Sequence, residues 1–329
     1  MRSTLITLLL FLSIGLIAQE KKIWDISEIR VRDPFVLVDK EEGTYYLYAQ
    51  MANRLNRKDT TQGVEVYKSK DLKTFTGPEP VFVCKPDFWG GKLVWAPEVH
   101  KYKGKYYLFV TFTGFEEKEN PLSSATLPLV NRGSAVLYAD SPEGPFKPFK
   151  NEPHTPKDWM ALDGTLWEED GQPYMIFCHE WIQLEDGTME LVKLKDDLSA
   201  FKGKPKTLFK ATDAKWVRSL KESGGLHHGY ITDGPWFYTT KTGKLLMIWS
   251  SFGENGYAVG LAESTTGSVK GPWIQHDEPF FKENGGHGMM FTTLEGKLML
   301  TLHQPNGGPE IRARFFELED TGDALILKE

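Results

Sequence analysis

Gly43-Thr44-Tyr45-Tyr46-Leu47-Tyr48 sets a phrase that the chain repeats, a glycine turn followed by an aromatic or aliphatic strand. It returns as Gly104-Lys105-Tyr106-Tyr107-Leu108-Phe109, Gly171-Gln172-Pro173-Tyr174-Met175-Ile176, Gly243-Lys244-Leu245-Leu246-Met247-Ile248 and Gly296-Lys297-Leu298-Met299-Leu300-Thr301. Five copies at intervals of roughly 55–70 residues mark a repeat architecture. A short strand precedes each copy, at 34–38, 98–102, 165–168, 235–239 and 289–293. A third strand follows, at 64–69, 134–140, 189–193, 258–263 and 312–318. Polar turns at 69–75, 141–146 and 266–273 lead into a fourth, edge segment. The strands are short, turn-bounded and rich in Val, Tyr, Phe and Thr. No amphipathic helix of ordinary length interrupts them. The pattern predicts an all-β five-bladed β-propeller with four antiparallel strands per blade, because radial closure leaves only short, protected edges. A sandwich or jelly roll gives no reason for a fivefold repeat.

The segment before the first copy reads differently. Met1-Arg2 is a short basic start, residues 5–17 are apolar and uncharged, and Ala18-Gln19 offers small-residue cleavage. The run is too short for an ordinary spanning helix. A signal peptide over 1–18 is expected, followed by one propeller domain over 19–329. Export to the periplasm or medium follows, with no membrane insertion after cleavage. No Cys lies near the cleavage point, which argues against a lipid anchor.

The net charge is −6, with no basic block. Nucleic acid is thereby excluded as the main partner, since phosphate neutralisation needs clustered Lys and Arg. Cys84 and Cys178 are the two cysteines. They read as buried thiols rather than a disulfide, because a core of this size needs no staple. Ten Trp, twelve Tyr and twenty Phe suit an aromatic β core, a minority of them free to stack on flat sugar faces.

In a propeller the first strand of each blade lines the central channel, so polar residues at the starts of the copies carry the functional signal. They are Asp33, Glu98, Asp163, Asp233 and His287, at similar phases of successive units. A lone Asp-Gly or Asp-Pro would read as a turn. Five at one phase predict carboxylates converging on the hub, with Glu98 the weakest member. Converging carboxylates suit glycoside hydrolysis, where one stays ionised while another holds a proton for the leaving oxygen. There is no Gly-x-Ser-x-Gly nucleophile elbow. Adjacent His227-His228 on a strand would point to opposite faces, so the pair is a poor zinc site.

These residues resemble glycoside hydrolase family 43 over nearly the whole mature chain. Arg32-Asp33-Pro34-Phe35 is similar to that family's first-blade signature, and Trp95-Ala96-Pro97-Glu98-Val99 to its second. The resemblance makes Asp33 the general base and Asp163 the residue that tunes and orients the acid. It likens Gly286-His287-Gly288 to a fifth-blade histidine that reaches a central metal or water. His287 is therefore the candidate for holding a calcium or sodium ion through water, with no cofactor required. One position departs from the pattern. Blade four of the family usually opens with Glu-Gly-Pro or Glu-Ala-Pro, its Glu the general acid, where this chain has Asp233-Gly234-Pro235. Asp is one methylene shorter, a misplacement that matters for catalysis. Glu180, in His179-Glu180-Trp181, is the preferred replacement donor, with Asp233 the alternative. The implied reaction is single displacement with inversion.

Trp95, Trp181 and Trp236 could stack on sugar or pack the core. His179, Gln183, His228, Ser251, Gln304 and Arg312 could bond sugar hydroxyls, and an inward Arg312 would help hold Asp33 ionised. The variants resemble the arabinofuranosidase branches of the family. A β-xylosidase, a galactose-acting enzyme and a non-catalytic carbohydrate-binding propeller are the alternatives. The partner expected is an oligosaccharide or polysaccharide, and the protein a monomer. The insertion Gly114–Arg132 is expected over one propeller face, walling the pocket.

Overall fold

The structure, a computed structural model, describes residues 22–54, 57–122, 124 and 126–328. The expected signal peptide lies outside them. Five antiparallel sheets follow one another along the chain, each built from one continuous stretch. Blade one runs Phe35–Asp39, Thr44–Gln50, Gly63–Ser69 and Thr74–Val83 from hub to rim, with Ile23–Asp25 added outside as a fifth strand. Blade two is Leu93–Tyr102, Lys105–Lys118, Leu129–Ala139 and Lys147–Pro148, and blade three Ala161–Glu169, Gln172–His179, Thr188–Lys193 and Lys206–Lys210. Blade four is Asp233–Thr239, Leu245–Gly253, Gly256–Ser264 and Trp273–Gln275, and blade five Gly286–Thr292, Leu298–Gln304, Arg312–Asp320 and Leu325–Leu327. The repeated phrase is the second strand of every blade. Its glycines sit in the hairpin turns, and four of them take positive φ values between 55° and 88° with Gly296 at 86°, a conformation open to glycine without a Cβ clash.

Apolar residues of the middle strands fill the space between blades. Trp249, Tyr48, Phe112 and Phe177 are essentially inaccessible. Blades five and one close the ring through side chains. Leu294 N–H donates to Tyr45 Oη at 2.8 Å, and Arg312 Nε donates to Ser27 O at 2.5 Å. Cys84 and Cys178 are both free, as expected; Cys178 is buried, while Cys84 is half-buried rather than buried as expected.

The inner strands share one irregularity. In blades two to five the register to the second strand slips by one residue, leaving two bulge residues between Trp95 and Glu98, Leu162 and Thr165, Asp233 and Trp236, and Gly286 and Met289. The first residue inside each bulge has positive φ: Ala96 46°, Asp163 56°, Gly234 50° and His287 51°. Asp33, at φ 53°, takes that conformation just before the inner strand of blade one. Left-handed backbone is unfavourable outside Gly, Asn and Asp. Its fivefold recurrence at the mouth of the channel turns the bulge side chains off the sheet and toward the axis. The equivalent set is therefore Asp33, Ala96, Asp163, Gly234 and His287. Asp233 stands one residue before this phase and Glu98 two after it, which corrects the expectation that all four acids and His287 share it.

Candidate active site

Asp33, Asp163, Asp233 and His287 come together at the mouth of the channel. His287 Nδ1 lies 3.4 Å from Asp33 Oδ1 and 3.7 Å from Asp163 Oδ2. Asp33 is the most heavily braced. Gln50 Nε2 donates to its Oδ2 at 3.0 Å, Arg32 Nε stands 3.6 Å from Oδ1, and its own N–H donates to His303 Nδ1 at 3.2 Å. Burial alone would push the Asp33 carboxyl up, but the charges of His287 and Arg32, with the Gln50 bond, outweigh it. Asp33 is held below the usual carboxylate range and stays ionised. His303 is itself pushed down to about 3 by burial. It is neutral, with Nδ1 accepting from Asp33 N–H and Nε2–H donating to Asn306 Oδ1 at 3.2 Å, so its 3.3 Å approach to Asp33 Oδ1 is not an ion pair.

Asp163 and Asp233 go the other way. Asp163 Oδ2 accepts from Gly234 N–H at 3.1 Å, and Asp233 Oδ2 accepts from Tyr257 Oη–H at 2.8 Å. Burial, with the charges of Asp233 and Asp33, lifts Asp163 to about 8 against the pull of His287. Burial also raises Asp233, opposed by His287 and Tyr257. The two behave as a pair that retains a proton at neutral pH. Burial disfavours the charged form of His287, yet Asp33, Asp163, Asp233 and Glu98 together raise it. The site thus sets one carboxylate that is always charged against two that share a proton.

Glu180 is buried and ends the second strand of blade three, where Arg132 Nη1 reaches both of its oxygens at 2.5 and 2.6 Å. Burial pushes its carboxyl up, and Arg132 opposes the shift. The Arg132 guanidinium in turn lies 4.3 Å from the Trp95 ring, and its Nε donates to Thr113 Oγ1 at 3.0 Å. Trp95, Arg132 and Glu180 make one wall of the mouth.

Other expected contacts lie elsewhere. The His179 ring stacks on Trp159 at 4.0 Å and its Nε2 bonds Gln183 Oε1 at 2.8 Å, so both brace the blade-three turn. Trp181 lies on Gly229, where a Cβ would come within 2.2 Å of its ring. Trp236 packs 5.6 Å from Phe35 and 5.7 Å from His100, plugging the channel rather than forming a sugar platform. Glu98 joins that plug, 3.0 Å from His100 Nε2. Ser251 is fully buried and cannot reach sugar; its neighbour Ser250 serves the site instead. Gln304 Nε2 is bound to Glu283 O at 2.7 Å. Arg312 does not face Asp33: carbonyls of Ser27, Pro309 and Ile311 take its guanidinium, and Arg32 supplies the expected positive charge. His227 and His228 lie in a loop rather than on the expected strand, with His228 3.6 Å from Glu185 and His227 Nδ1 2.5 Å from Thr126 Oγ1.

Sequence reasoning missed Gln50, Thr111, Ser250 and His303. Each stands seven residues past its repeat glycine, at the end of a second strand beside the axis. Thr111 Oγ1 accepts the N–H of Asp163 at 2.8 Å, Ser250 Oγ that of His287 at 2.8 Å, and His303 Nδ1 that of Asp33. Each of these three caps the strained residue of the following blade. The position was legible as a fixed offset in the repeat.

The expected insertion is a hairpin. Its flanks continue the second and third strands of blade two, with Glu117 opposite Val130 and Lys118 opposite Leu129. Asn120 Nδ2 donates to Ile182 O at 2.7 Å, and Ser124 Oγ bonds Glu185. With the His227–Thr126 contact, the tip spans from blade two to the loop entering blade four.

Among the described residues no group of three or more His, Cys, Asp or Glu is arranged to hold a metal ion. His287 Nδ1 is turned toward two carboxylates, and its ring edge packs on Gly234. A hard cation needs six or more oxygen ligands, so no ready protein cage exists here.

The fold and these residues have clear relatives. The chain is 41% identical, with a TM-score of 0.78, to the crystal structure of an endo-arabinase from Bacteroides thetaiotaomicron, over 90% of this chain and 96% of that one. It is 26% identical over 182 residues to an extracellular exo-α-(1→5)-L-arabinofuranosidase of Cellvibrio japonicus, covering 52% of this chain and 46% of that protein. It is 23% identical over 174 residues to an extracellular endo-α-(1→5)-L-arabinanase of Bacillus subtilis, covering 49% and 47%. The chain therefore spans about half the length of the curated relatives it matches. The profile of glycosyl hydrolases family 43 matches residues 26–320, all five blades and every hub carboxylate among them, and the chain belongs to that family.

Proposed function

We propose that this protein is an exported, inverting glycosidase that cleaves α-L-arabinofuranosyl linkages in plant-type polysaccharide or its oligosaccharides. The observation that carries the reading is the split at the hub, with Asp33 held ionised and the Asp163–Asp233 pair holding a proton. That is the division of labour inversion needs. Asp33 takes a proton from water as its oxygen attacks the anomeric carbon. The bond from that carbon to the leaving oxygen breaks, and the leaving oxygen takes the proton of the acid. Solvent exchange then resets both groups.

Asp233 is the better donor, which reverses the preference for Glu180. A general acid must be protonated at neutral pH and release its proton into the site. Glu180 has both oxygens engaged by Arg132, and protonating it would leave a buried guanidinium uncompensated. Asp233 accepts one bond, from Tyr257, and lies beside Asp163. Asp163 tunes and orients it, while Trp95, Arg132 and Glu180 bind sugar. The arabinan-acting names of the relatives support the sugar, and the extracellular ones support export. The blade-two hairpin, bonded to Ile182, Glu185 and His227, supports attack at chain ends, where it would wall the pocket. Any ion at the hub would be held through water on His287, and the protein works as a monomer.

The test is a panel of nitrophenyl α-L-arabinofuranoside, β-D-xyloside and β-D-galactoside with linear arabinan, using Asp33→Asn as control. Turnover of the arabinofuranoside that Asp33→Asn abolishes supports the reading. Sugar binding without turnover of any substrate would leave a carbohydrate-binding propeller in its place.

A further inference from the structure

Three arginines gather on one loop beside Asp33. Arg32 Nη1 and Nη2 donate to Asn306 O and Oδ1 at 2.5 and 2.9 Å. Arg30 Nη1 donates to Asn53 O and Oδ1 at 3.3 Å and its Nη2 to Gly308 O at 3.3 Å, while Arg312 uses Nε and Nη1 on backbone carbonyls, among them Pro309 O at 2.9 Å. The loop 306–311 thus holds three guanidinium groups within a few residues, on the same face as the catalytic carboxylates. The charge of Arg32 is matched by Asp33, and those of Arg30 and Arg312 are not. Among the described residues Arg32 has one carboxylate within 4 Å, Asp33, while Arg30 and Arg312 have none. Arg30 is crowded by Arg32 and Arg312, and its Nε is buried without a hydrogen-bond partner.

Backbone carbonyls satisfy N–H groups but do not cancel a full charge. A structural staple between blades five and one would be served as well by neutral amides. Two unmatched cations, Arg30 and Arg312, beside Arg32 form a site for an anion, and guanidinium matches a carboxylate in shape as well as charge. The hairpin's bonds run to Ile182, Glu185 and His227, and none of them reaches this edge.

We propose that Arg30, with Arg32 and Arg312, forms a subsite for the carboxylate of a uronic acid, so that the substrate is an acidic glycan carrying arabinofuranosyl units. The proposal rests on the arabinofuranosidase reading and names the class of chain that presents the scissile sugar.

The probe is sodium galacturonate against galacturonic acid methyl ester, which keeps the shape and removes the charge. Calorimetric binding to the full protein requires no catalysis, and nitrophenyl arabinofuranoside turnover is measured separately on the same preparation. The acid should bind about tenfold tighter than the ester, a difference of one charge-assisted pair. That preference should shrink as salt rises. Arg30→Gln should erase it while leaving turnover of the nitrophenyl substrate unchanged, and Arg30→Lys should keep part of it. Equal binding of acid and ester, no binding of either, or a preference that survives Arg30→Gln would each overturn the subsite. Should Arg30→Gln fail to fold, the acid–ester comparison and its salt dependence on the unaltered protein still decide. Loss of nitrophenyl turnover with an intact acid preference would instead count against the glycosidase reading alone.

Discussion

The backbone N–H of Gly234 donates to Asp163 Oδ2 at 3.1 Å. It ties the blade-three carboxylate to the residue that follows Asp233. Asp163 cannot move without moving the backbone that carries its neighbour, and this fixes the two members of the proton-holding pair against each other.

One consequence concerns pH. Asp163, lifted to about 8 by burial and by Asp233 and Asp33, should set an alkaline limb in kcat/KM near that value. Asp163→Asn removes one of the two acids that share the proton, and with it the like-charge repulsion that raises the pair, so the limb should move to lower pH. A pH–rate profile on nitrophenyl arabinofuranoside reads this directly. An alkaline limb that Asp163→Asn leaves in place would reject the pairing.

The same residue links to stability. The folded pKa of Asp163 lies above its unfolded value, so its contribution is full below the unfolded value near 3.8 and is lost as pH rises through about 8. At pH 8 the ionised, buried carboxylate works against the fold. Asp163→Asn should therefore raise Tm at pH 8 by about 2 °C or more and change it little at pH 4. Thermal unfolding at the two pH values checks the sign.

Removing one partner of the buried Arg132–Glu180 pair strands the other. Arg132→Met should destabilise the protein by roughly 3–5 kcal/mol, and adding Glu180→Gln should recover most of that loss. Denaturant unfolding of the single and double variants measures it. Equal loss in both would mean that the stacking of Arg132 on Trp95 dominates.

Much of the fold was readable because a propeller repeats its turn glycine and its second strand. The hub acids were readable for the same reason, but their relative phase was not. The two-residue bulge that separates Asp233 from Asp163 depends on pairing register, which the sequence does not spell. The pairing of Glu180 with Arg132 was hidden because the two stand on different blades. Ser251 and Arg312 failed for a simpler reason: neighbouring strand residues face opposite ways, and an arginine near carboxylates in the chain need not point at them. The offset that places Gln50, Thr111, Ser250 and His303 is present in the repeat, seven residues past the glycine.

The acid assignment gives the fourth prediction. Asp233→Asn should lower kcat/KM on linear arabinan by about 10²–10⁴. It should lower it far less on nitrophenyl arabinofuranoside, whose leaving group needs little protonation. Glu180→Gln should weaken both substrates alike. The opposite pattern would return the role to Glu180.

The central claim is that Asp33 is the base of a working glycosidase, and the most direct measurement is turnover by Asp33→Asn beside the unaltered protein. The account predicts arabinose release from nitrophenyl α-L-arabinofuranoside by the unaltered chain and a loss of about 10²–10⁴ in the variant, with sugar binding retained. Unchanged turnover in Asp33→Asn would contradict it.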